Sequence, residues 1–444
     1  MRNLQSYILT YPLLKLCTYA VLVVLGFSSC FNTNQENNEK LDSVANLDEF
    51  GDLEDLHQSS ESRNSTKFAK ILGWKNDEKP IATNGYRVVK FAKDLNSPRN
   101  IYIGKNGDIF VAQARTEKEN QNAKILNSQN LFRSQSPNQI LRFRDKDKDG
   151  IAETQEVFLD NLHQPYGMLL IDNYFYVANT DAIIRYPYDP VTEKITGAAQ
   201  HIIDLPAGGY NNHWTRNLIS NHEGSKIYVS VGSGSNVGEN GMDKEVNRAA
   251  ILEMNPDGTQ QKIFASGLRN PVGMAFEGYS QTLWTVVNER DELGDKLVPD
   301  YLTSVQDKDF YGWPYLYWGH YVDPRWEGKI PHSLSLQARK PDYAIGSHTG
   351  SLGLALGQRK GFKNGAYIGQ HGSWNRSELV GYKVIFIEFE NGKPVGEPQN
   401  FLSGFIADKN AGEVYGRPVA VAFTDNYILV TDDAANTIWA VIPE

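Results

Sequence analysis

Only two cysteines occur in this 444-residue chain, Cys17 and Cys30, and both lie in its first thirty residues. A disulfide-stapled architecture is therefore excluded, and so is a thiolate-ligated zinc or iron–sulfur site in the folded body. An excess of positive charge is also lacking. With 44 basic against 53 acidic residues and a formal charge of −9, the chain has no basic surface on which to track a nucleic-acid backbone. No helical periodicity is sustained along the chain. Apolar residues are not scarce, however: a hydrophobic content of 40% is enough to form a core and excludes a disordered protein.

The one marked apolar run near the start, Leu16–Phe27, follows Arg2 and Lys15 and leads into Gly26-Phe27-Ser28-Ser29-Cys30. It is short for a membrane span, which needs about 20 apolar residues, and suits an export signal ending in small residues. Residues 1–29 resemble a bacterial lipoprotein signal, with Cys30 as the lipid acceptor. An ordinary signal peptide or a single anchor helix is the alternative, and each of these readings exports the protein. The expected location is the cell envelope, periplasm or outer membrane, with a lipid anchor at Cys30. Residues 30–80, rich in Asn, Glu, Asp and Ser, read as a disordered tether.

Residues 81–444 exceed the size at which one hydrophobic core stops growing, about 250–300 residues, so a repeat or a division is expected. A turn leading into an apolar strand recurs six times, beginning at Ser97-Pro98-Arg99-Asn100, Gln164-Pro165-Tyr166-Gly167, Trp214-Thr215-Arg216-Asn217, Asn270-Pro271-Val272-Gly273, Ser351-Leu352-Gly353-Leu354 and Arg417-Pro418-Val419-Ala420. Several copies continue through a tight turn into a second strand. Asn106-Gly107-Asp108 precedes Ile109-Phe110-Val111, and Asp425-Asn426 precedes Tyr427-Ile428-Leu429-Val430; such turn residues tolerate positive φ. About 60 residues per unit suffices for a four-stranded blade with its loops. The expected fold is all-β, a six-bladed β-propeller of four-stranded antiparallel blades, with a β-sandwich pair or β-helix as the alternative. Loops at one end of such a ring converge, so residues distant in sequence can meet over one ligand.

Three loop segments carry chemistry. His213, in Gly208-Gly209-Tyr210-Asn211-Asn212-His213-Trp214, stands where a Gly-rich loop enters a strand, and an imidazole there suits proton abstraction. Arg269, in Gly267-Leu268-Arg269-Asn270-Pro271, offers a fixed fork to a carboxylate. The loop Asn288-Glu289-Arg290-Asp291-Glu292-Leu293-Gly294-Asp295 offers oxygen ligands to a hard cation.

The order Gly-Leu-Arg-Asn-Pro, acidic loop, Tyr311-Gly312-Trp313-Pro314 resembles the soluble pyrroloquinoline-quinone (PQQ) dependent sugar dehydrogenases of the glucose/sorbosone dehydrogenase family. His371-Gly372-Ser373-Trp374-Asn375-Arg376, Gly381-Tyr382-Lys383-Val384 and Gly416-Arg417-Pro418 are similar to its L-sorbosone dehydrogenase branch. The resemblance covers most of residues 85–444 and implies a six-bladed propeller, PQQ and Ca2+ as cofactors, and oxidation of an aldose or sugar aldehyde at C1. It implies His213 as the base, with hydride passing to PQQ, and Arg269 and Arg417 as cofactor contacts, with Asn270 beside Arg269; since PQQ carries three carboxylates, Arg376, and after it Lys383, is the candidate for a further cation. It puts the cofactor calcium at main-chain carbonyls near Asp291 and Glu292. Val272, where the soluble glucose enzymes carry glutamine, points away from glucose itself.

A second metal signal stands apart from the resemblance. Asp145-Lys146-Asp147-Lys148-Asp149-Gly150, continuing to Glu156, satisfies the spacing that wraps carboxylates around one calcium ion. Strand-like flanks make it a structural calcium loop, with a merely charged hairpin as the alternative. Among the crowded aromatics, Tyr311 and Trp313 read as core, and Trp318 and Tyr321 as lid residues. The expected partners are a small sugar, an electron acceptor that the sequence does not identify and, through Cys30, a membrane. The alternative functions are a calcium-dependent hydrolase or lactonase, with carboxylates at the channel centre, and a non-catalytic carbohydrate-binding lipoprotein.

Overall fold

The computed structural model describes residues 49–56, 65–117, 136–209, 211–331 and 338–444. The signal segment, Cys30 and the first part of the expected tether lie outside the described residues. Within them the protein is all-β, and helix is limited to 3-10 conformation at Glu49 and a 3-10 turn at Met242–Lys244. No helix among the described residues is long and apolar enough to cross a membrane.

The strands form antiparallel meanders in chain order. Sheet 1 runs Pro98–Ile103, Ile109–Gln113, Gln139–Arg144 and Thr154–Leu159; sheet 2 runs Gly167–Ile171, Tyr174–Ala178, Ala182–Asp189 and Gln200–Asp204. Sheet 3 comprises Arg216–Ser220, Ile227–Val231, Ala250–Met254 and Lys262–Ser266, and sheet 4 comprises Pro271–Phe276, Leu283–Val287, Pro299–Val305 and Tyr343–Ser347. Sheet 5 contains Ser351–Arg359, Phe362–Gln370, Lys383–Glu390 and Lys393–Ser403. Sheet 6 takes three strands from the end of the chain, Pro418–Phe423, Ile428–Asp432 and Thr437–Pro443, and its fourth from Tyr86–Ala92.

The turns follow from local chemistry. Gly107 adopts φ 87° and Asn106 Oδ1 accepts the Asp108 N–H at 3.1 Å, closing the hairpin between the first two strands of sheet 1. Burial grades outward within this sheet. Ile109–Gln113 is buried throughout, whereas the fourth strand Thr154–Leu159 is largely exposed.

The first strand of each sheet lies against the first strand of the next, and Pro418–Phe423 lies in turn against Pro98–Ile103, a propeller-like arrangement. Glycine permits the close approach. A Cβ at Gly167 would come within 2.5 Å of the Leu218 nitrogen in sheet 3, and one at Gly273 within 2.7 Å of the Leu354 nitrogen in sheet 5. Ala114, Tyr166, Trp214, Val272, Leu352 and Val419, drawn from the six sheets and the loops that adjoin their strands, pack into one buried cluster. Beyond it, a cavity of about 250 Å³ opens between the first strands, lined by Asn100, Met168, Asn217, Met274 and Ala420.

The described parts of residues 49–80 correct the expected tether: they are strapped to the sheets. Phe50–Gly51 pairs with Ala344 and Ile345, and Lys70–Ile71 pairs with Glu413 and Val414. Leu53, Leu56, Ile71 and Trp74 pack on the core. Isolated apolar residues in a polar stretch thus find partners that composition does not reveal. Tyr311 is core as expected. Trp318 is not a lid residue: it is 2% exposed, with Nε1–H donating to the Leu53 carbonyl at 3.0 Å. Tyr321 instead stacks on Tyr317, and its hydroxyl accepts the Leu56 N–H at 3.0 Å.

Candidate functional site

Antiparallel order puts the start of every first strand and the end of every second strand at one end of the molecule. The loops there carry His213, Arg269 and Arg417, among the residues that the sequence singles out. His213, ahead of Arg216–Ser220, is buried with Nδ1 3.0 Å from Ser233 Oγ and 3.2 Å from the Ser233 carbonyl. Ser233 Oγ spends its own proton on the Ser235 carbonyl, at 2.6 Å. Nδ1 therefore carries the imidazole hydrogen, and the basic lone pair is on Nε2. Burial, then the neighbouring Arg269, holds His213 well below the usual histidine range, so it is neutral at neutral pH.

Arg269 is 1% exposed and fully engaged. It donates to the Asn236 and Asn288 carbonyls at 3.2 Å, to the Glu289 carbonyl at 2.6 Å, to Asn236 Oδ1 at 2.9 Å and to Asp291 Oδ2 at 3.1 Å. Asp291 also faces His348 Nδ1 at 3.4 Å, and His348 Nε2 lies 2.8 Å from the Gly294 carbonyl. Burial opposes the ionisation of Asp291, but His348 and Arg269 hold its carboxyl below the ordinary range. Arg216 rests on the His213, Thr215 and Pro206 carbonyls; burial, then Arg248, lowers its pKa to about 9. Around His213 the guanidiniums of Arg216, Arg248 and Arg269 thus stand against the carboxylates of Asp291 and Glu245. Asn212 Oδ1, Thr215 Oγ1, Arg216 Nε and Asn270 Oδ1, from the same loops, are buried without a hydrogen-bond partner.

A second group lies across Trp214. Arg417 Nε and Nη2 donate to the His371 and Gly372 carbonyls, both at 2.9 Å, and its guanidinium carbon is 5.5 Å from the Tyr382 ring centroid. Asp433 Oδ1 is 2.8 Å from His371 Nε2, and its Oδ2 accepts from Arg99 at 2.6 Å. The Arg99 guanidinium in turn sits 5.4 Å from the Trp214 ring, next in the chain to His213. Burial, then Arg417, lowers His371 to about 4.

The other expected site residues have different fates. Arg376 is paired with Glu49 through contacts of 2.7 and 3.0 Å, with the Ser347 carbonyl at 3.2 Å. Lys383 is buried at the start of its strand, opposite Gln370. Of the main-chain carbonyls expected to hold a cation near Asp291 and Glu292, that of Asp291 already has a protein partner. The Asp291 carboxylate serves Arg269 and His348, its carbonyl accepts the Asn236 amide at 3.1 Å, and the Glu292 carboxylate pairs with Arg325.

At the turn joining the third and fourth strands of sheet 1, Asp145, Asp147 and Asp149 do converge, with potential ligand atoms within 4.8 Å of one another. The fourth member is Glu153, not Glu156. Glu156 stands opposite Arg142 in the strand pairing and forms an ion pair with it, so strand register removes it from the turn.

Arg99, Arg216, Asp433 and His348 are site members that motif reading left unassigned, as is His371, which it quoted without a role. A signal for the arginines was present. Arg99, Arg216, Arg269 and Arg417 all occur at or just before a first strand, in four of the six repeated openings.

The sequence model of the TrAA12-like family matches residues 80–304 and 333–444. The chain belongs to that family. A Borreliella burgdorferi relative of uncharacterized function is 28% identical over 381 residues, spanning 81% of this chain and 90% of the relative. A Coprinopsis cinerea pyrroloquinoline quinone-dependent pyranose dehydrogenase is 22% identical over 418 residues, covering 81% of this chain and 54% of that protein, so the chain spans about half of its length. The calcium structure of the Trichoderma reesei family AA12 enzyme superposes with a TM-score of 0.68 at 17% identity, over 82% of this chain and 97% of that one. This likeness, at low identity, speaks for the fold. Residues 49–79 precede the family match.

Proposed function

We propose that this family member is a PQQ-dependent sugar dehydrogenase that oxidises an aldose or a sugar aldehyde at C1, on a closed ring of six four-stranded blades. The observation that carries the reading is His213, buried and neutral among three guanidiniums and four buried polar atoms without partners. Orphaned polar atoms in a native interior call for a ligand or water, and guanidiniums beside them suit the carboxylates of PQQ. The residues therefore fit the group. Bound there, PQQ supplies the two-electron acceptor that no side chain of this protein provides.

The chain's own part is to hold and move a proton. His213 Nε2 accepts the proton of the sugar hydroxyl, and Ser233 fixes the tautomer that leaves this nitrogen basic. Arg269, immobilised by its carbonyls, adds to burial in keeping the imidazole neutral and presents positive charge without needing to reorganise. Asn270 Oδ1 lies against Gly232 beside the His213 Cβ, within reach of the same ligand. The Arg417 group, joined through Trp214 and Arg99, extends the cationic lining, with Lys383 a more distant contributor.

Ca2+ at Asp145, Asp147, Asp149 and Glu153 is a structural ion in this reading, since that turn lies at the opposite end of sheet 1 from the His213 loops. The hydrolase alternative needs carboxylates gathered at the axis. Among the described residues, the only group of three or more His, Cys, Asp or Glu side chains close enough to share a cation is on this turn. Export with a lipid anchor at Cys30 would deliver the enzyme to the cell envelope, where a separate acceptor takes its electrons.

The test is reconstitution of apoprotein with PQQ and Ca2+, followed by an assay of aldoses and sugar aldehydes with an artificial acceptor. His213→Ala should keep the quinone absorbance and lose about 10²- to 10⁴-fold in turnover. Absence of turnover in the reconstituted wild type on every sugar would remove the assignment.

A further inference from the structure

The N-terminal strap reaches the Arg417 side of the site through one side chain. Trp74 stacks on Tyr415 with centroids 4.8 Å apart and meets Phe405 and Trp439 edge-on at 5.4 and 5.3 Å. Its Nε1–H donates to Asp432 Oδ2 at 2.8 Å. Asp432 is fully buried, and its other oxygen, Oδ1, accepts the main-chain N–H of Arg417 at 2.8 Å and of Ala435 at 3.0 Å. Gly416 is what allows this: a Cβ there would overlap both carboxylate oxygens. The same carboxylate thus ties the strap to the backbone from which Arg417 reaches the His371 and Gly372 carbonyls.

We propose that Trp74, which precedes the part of the chain that the family shares, is a positioning residue for the anion-binding end of the site, acting through Asp432 on Arg417. This rests on the reading that this end receives the anionic quinone. Asp432 Oδ2 sits in an aromatic box, where the other indole donor, Trp439 Nε1, is 3.5 Å away and too far to replace Trp74. Without the Trp74 donor the buried carboxylate is poorly satisfied, and it either rotates or takes a proton. Both changes weaken the hold of Oδ1 on the Arg417 and Ala435 amides.

Burial already raises the Asp432 pKa to about 6, while the Trp74 hydrogen bond lowers it; removing that bond shifts it further up. The charged groups around it are Asp433, next in the chain, Arg417 just before the neighbouring strand, and Arg99 and His371 beyond Asp433. The strap itself contributes the uncharged indole. The acid limb of quinone binding therefore moves to higher pH when the donor is lost.

The experiment titrates full-chain apoprotein with PQQ, followed by quinone absorbance over a pH series, for wild type, W74F, Y415L and R417A, with the melting temperature of each. W74F keeps an aromatic ring in the box and loses the N–H; it is expected to weaken PQQ binding about fivefold or more and to shift the acid limb upward. Y415L loosens the same aromatic box without touching the hydrogen bond, and is expected to lower the melting temperature at wild-type affinity. The proposal is overturned if W74F binds PQQ with wild-type affinity and pH profile while R417A binds weakly, or if Y415L and W74F lose affinity alike. Unchanged affinity in R417A would instead overturn the quinone reading of this end, and the Trp74 proposal with it.

Discussion

Glu289 shows how much the interior constrains a single side chain. It is 6% exposed beneath Arg269, and burial pushes its carboxyl up to about 7, so it folds as a neutral acid over most of the acidic range. An unfolded chain ionises the same group near pH 4.3. Between these values the folded state holds the extra proton, so stability falls as pH rises toward 7. Glu289→Gln keeps the shape and removes the titration. The variant should match wild type in acid and gain in melting temperature relative to it as the pH is raised from about 5 to 8, because only the wild type must ionise a buried carboxyl. A constant difference across that range would mean that Glu289 is ionised throughout in the fold. His213 is the opposite case, a base kept unprotonated by its surroundings. Its type and position were legible in the chain; its tautomer, set by Ser233 twenty residues on, was not.

Local elements follow local rules where the turn residues decide. The Asp145–Glu153 turn is shaped by the Gly150 N–H on Asp145 Oδ2 at 2.9 Å, the Ile151 N–H on Asp149 Oδ1 at 2.8 Å and the Tyr427 hydroxyl on Asp145 Oδ2 at 2.5 Å. Its carboxylates still repel one another, and a hard cation would relieve that. Adding Ca2+ should therefore raise the wild-type melting temperature by a few degrees, an effect of about 1–3 kcal/mol at saturating ion. Asp147→Asn with Asp149→Asn should abolish the shift and leave the activity of the reconstituted enzyme near wild type. Glu156→Gln should retain the shift, which separates the turn seen here from the motif's nominal spacing. That spacing identified three of the four carboxylates. The last was decided by which residue the strand pairing had already claimed, Glu156 by Arg142.

At the scale of the molecule, an early strand and the last strand of the described chain meet. Tyr86–Ala92 completes the sheet begun by Pro418–Phe423, and Glu49 and Trp74 fasten the strap to the Arg376 and Asp432 loops. A chain beginning at residue 93 leaves Trp439 and Val441 without their strand partner, and it should lose cooperative melting. One beginning at residue 81 keeps all six sheets. It should still melt cooperatively but at a lower temperature, since Asp432 loses the Trp74 hydrogen bond and Arg376 loses its Glu49 ion pair, and breaking a buried ion pair costs up to about 3–5 kcal/mol. Thermal melts of the two truncations, side by side with the full chain, check both expectations.

The amino-acid order alone was sufficient for the β architecture, the recurring strand openings and the imidazole and guanidiniums that begin them, because turn chemistry, strand alternation and side-chain type act over a few residues. It could not say that Arg376 would be spent on Glu49, that Asp291 would be claimed by Arg269 and His348, or that Asp433 would link His371 to Arg99. Those outcomes are competitions for partners, separated by up to 334 positions, and only the packing of the sheets determines which donor reaches which acceptor first. The strap illustrates the same point: its composition is that of a solvated tether, and it is ordered because a few apolar and acidic side chains meet surfaces that exist only once the sheets have assembled.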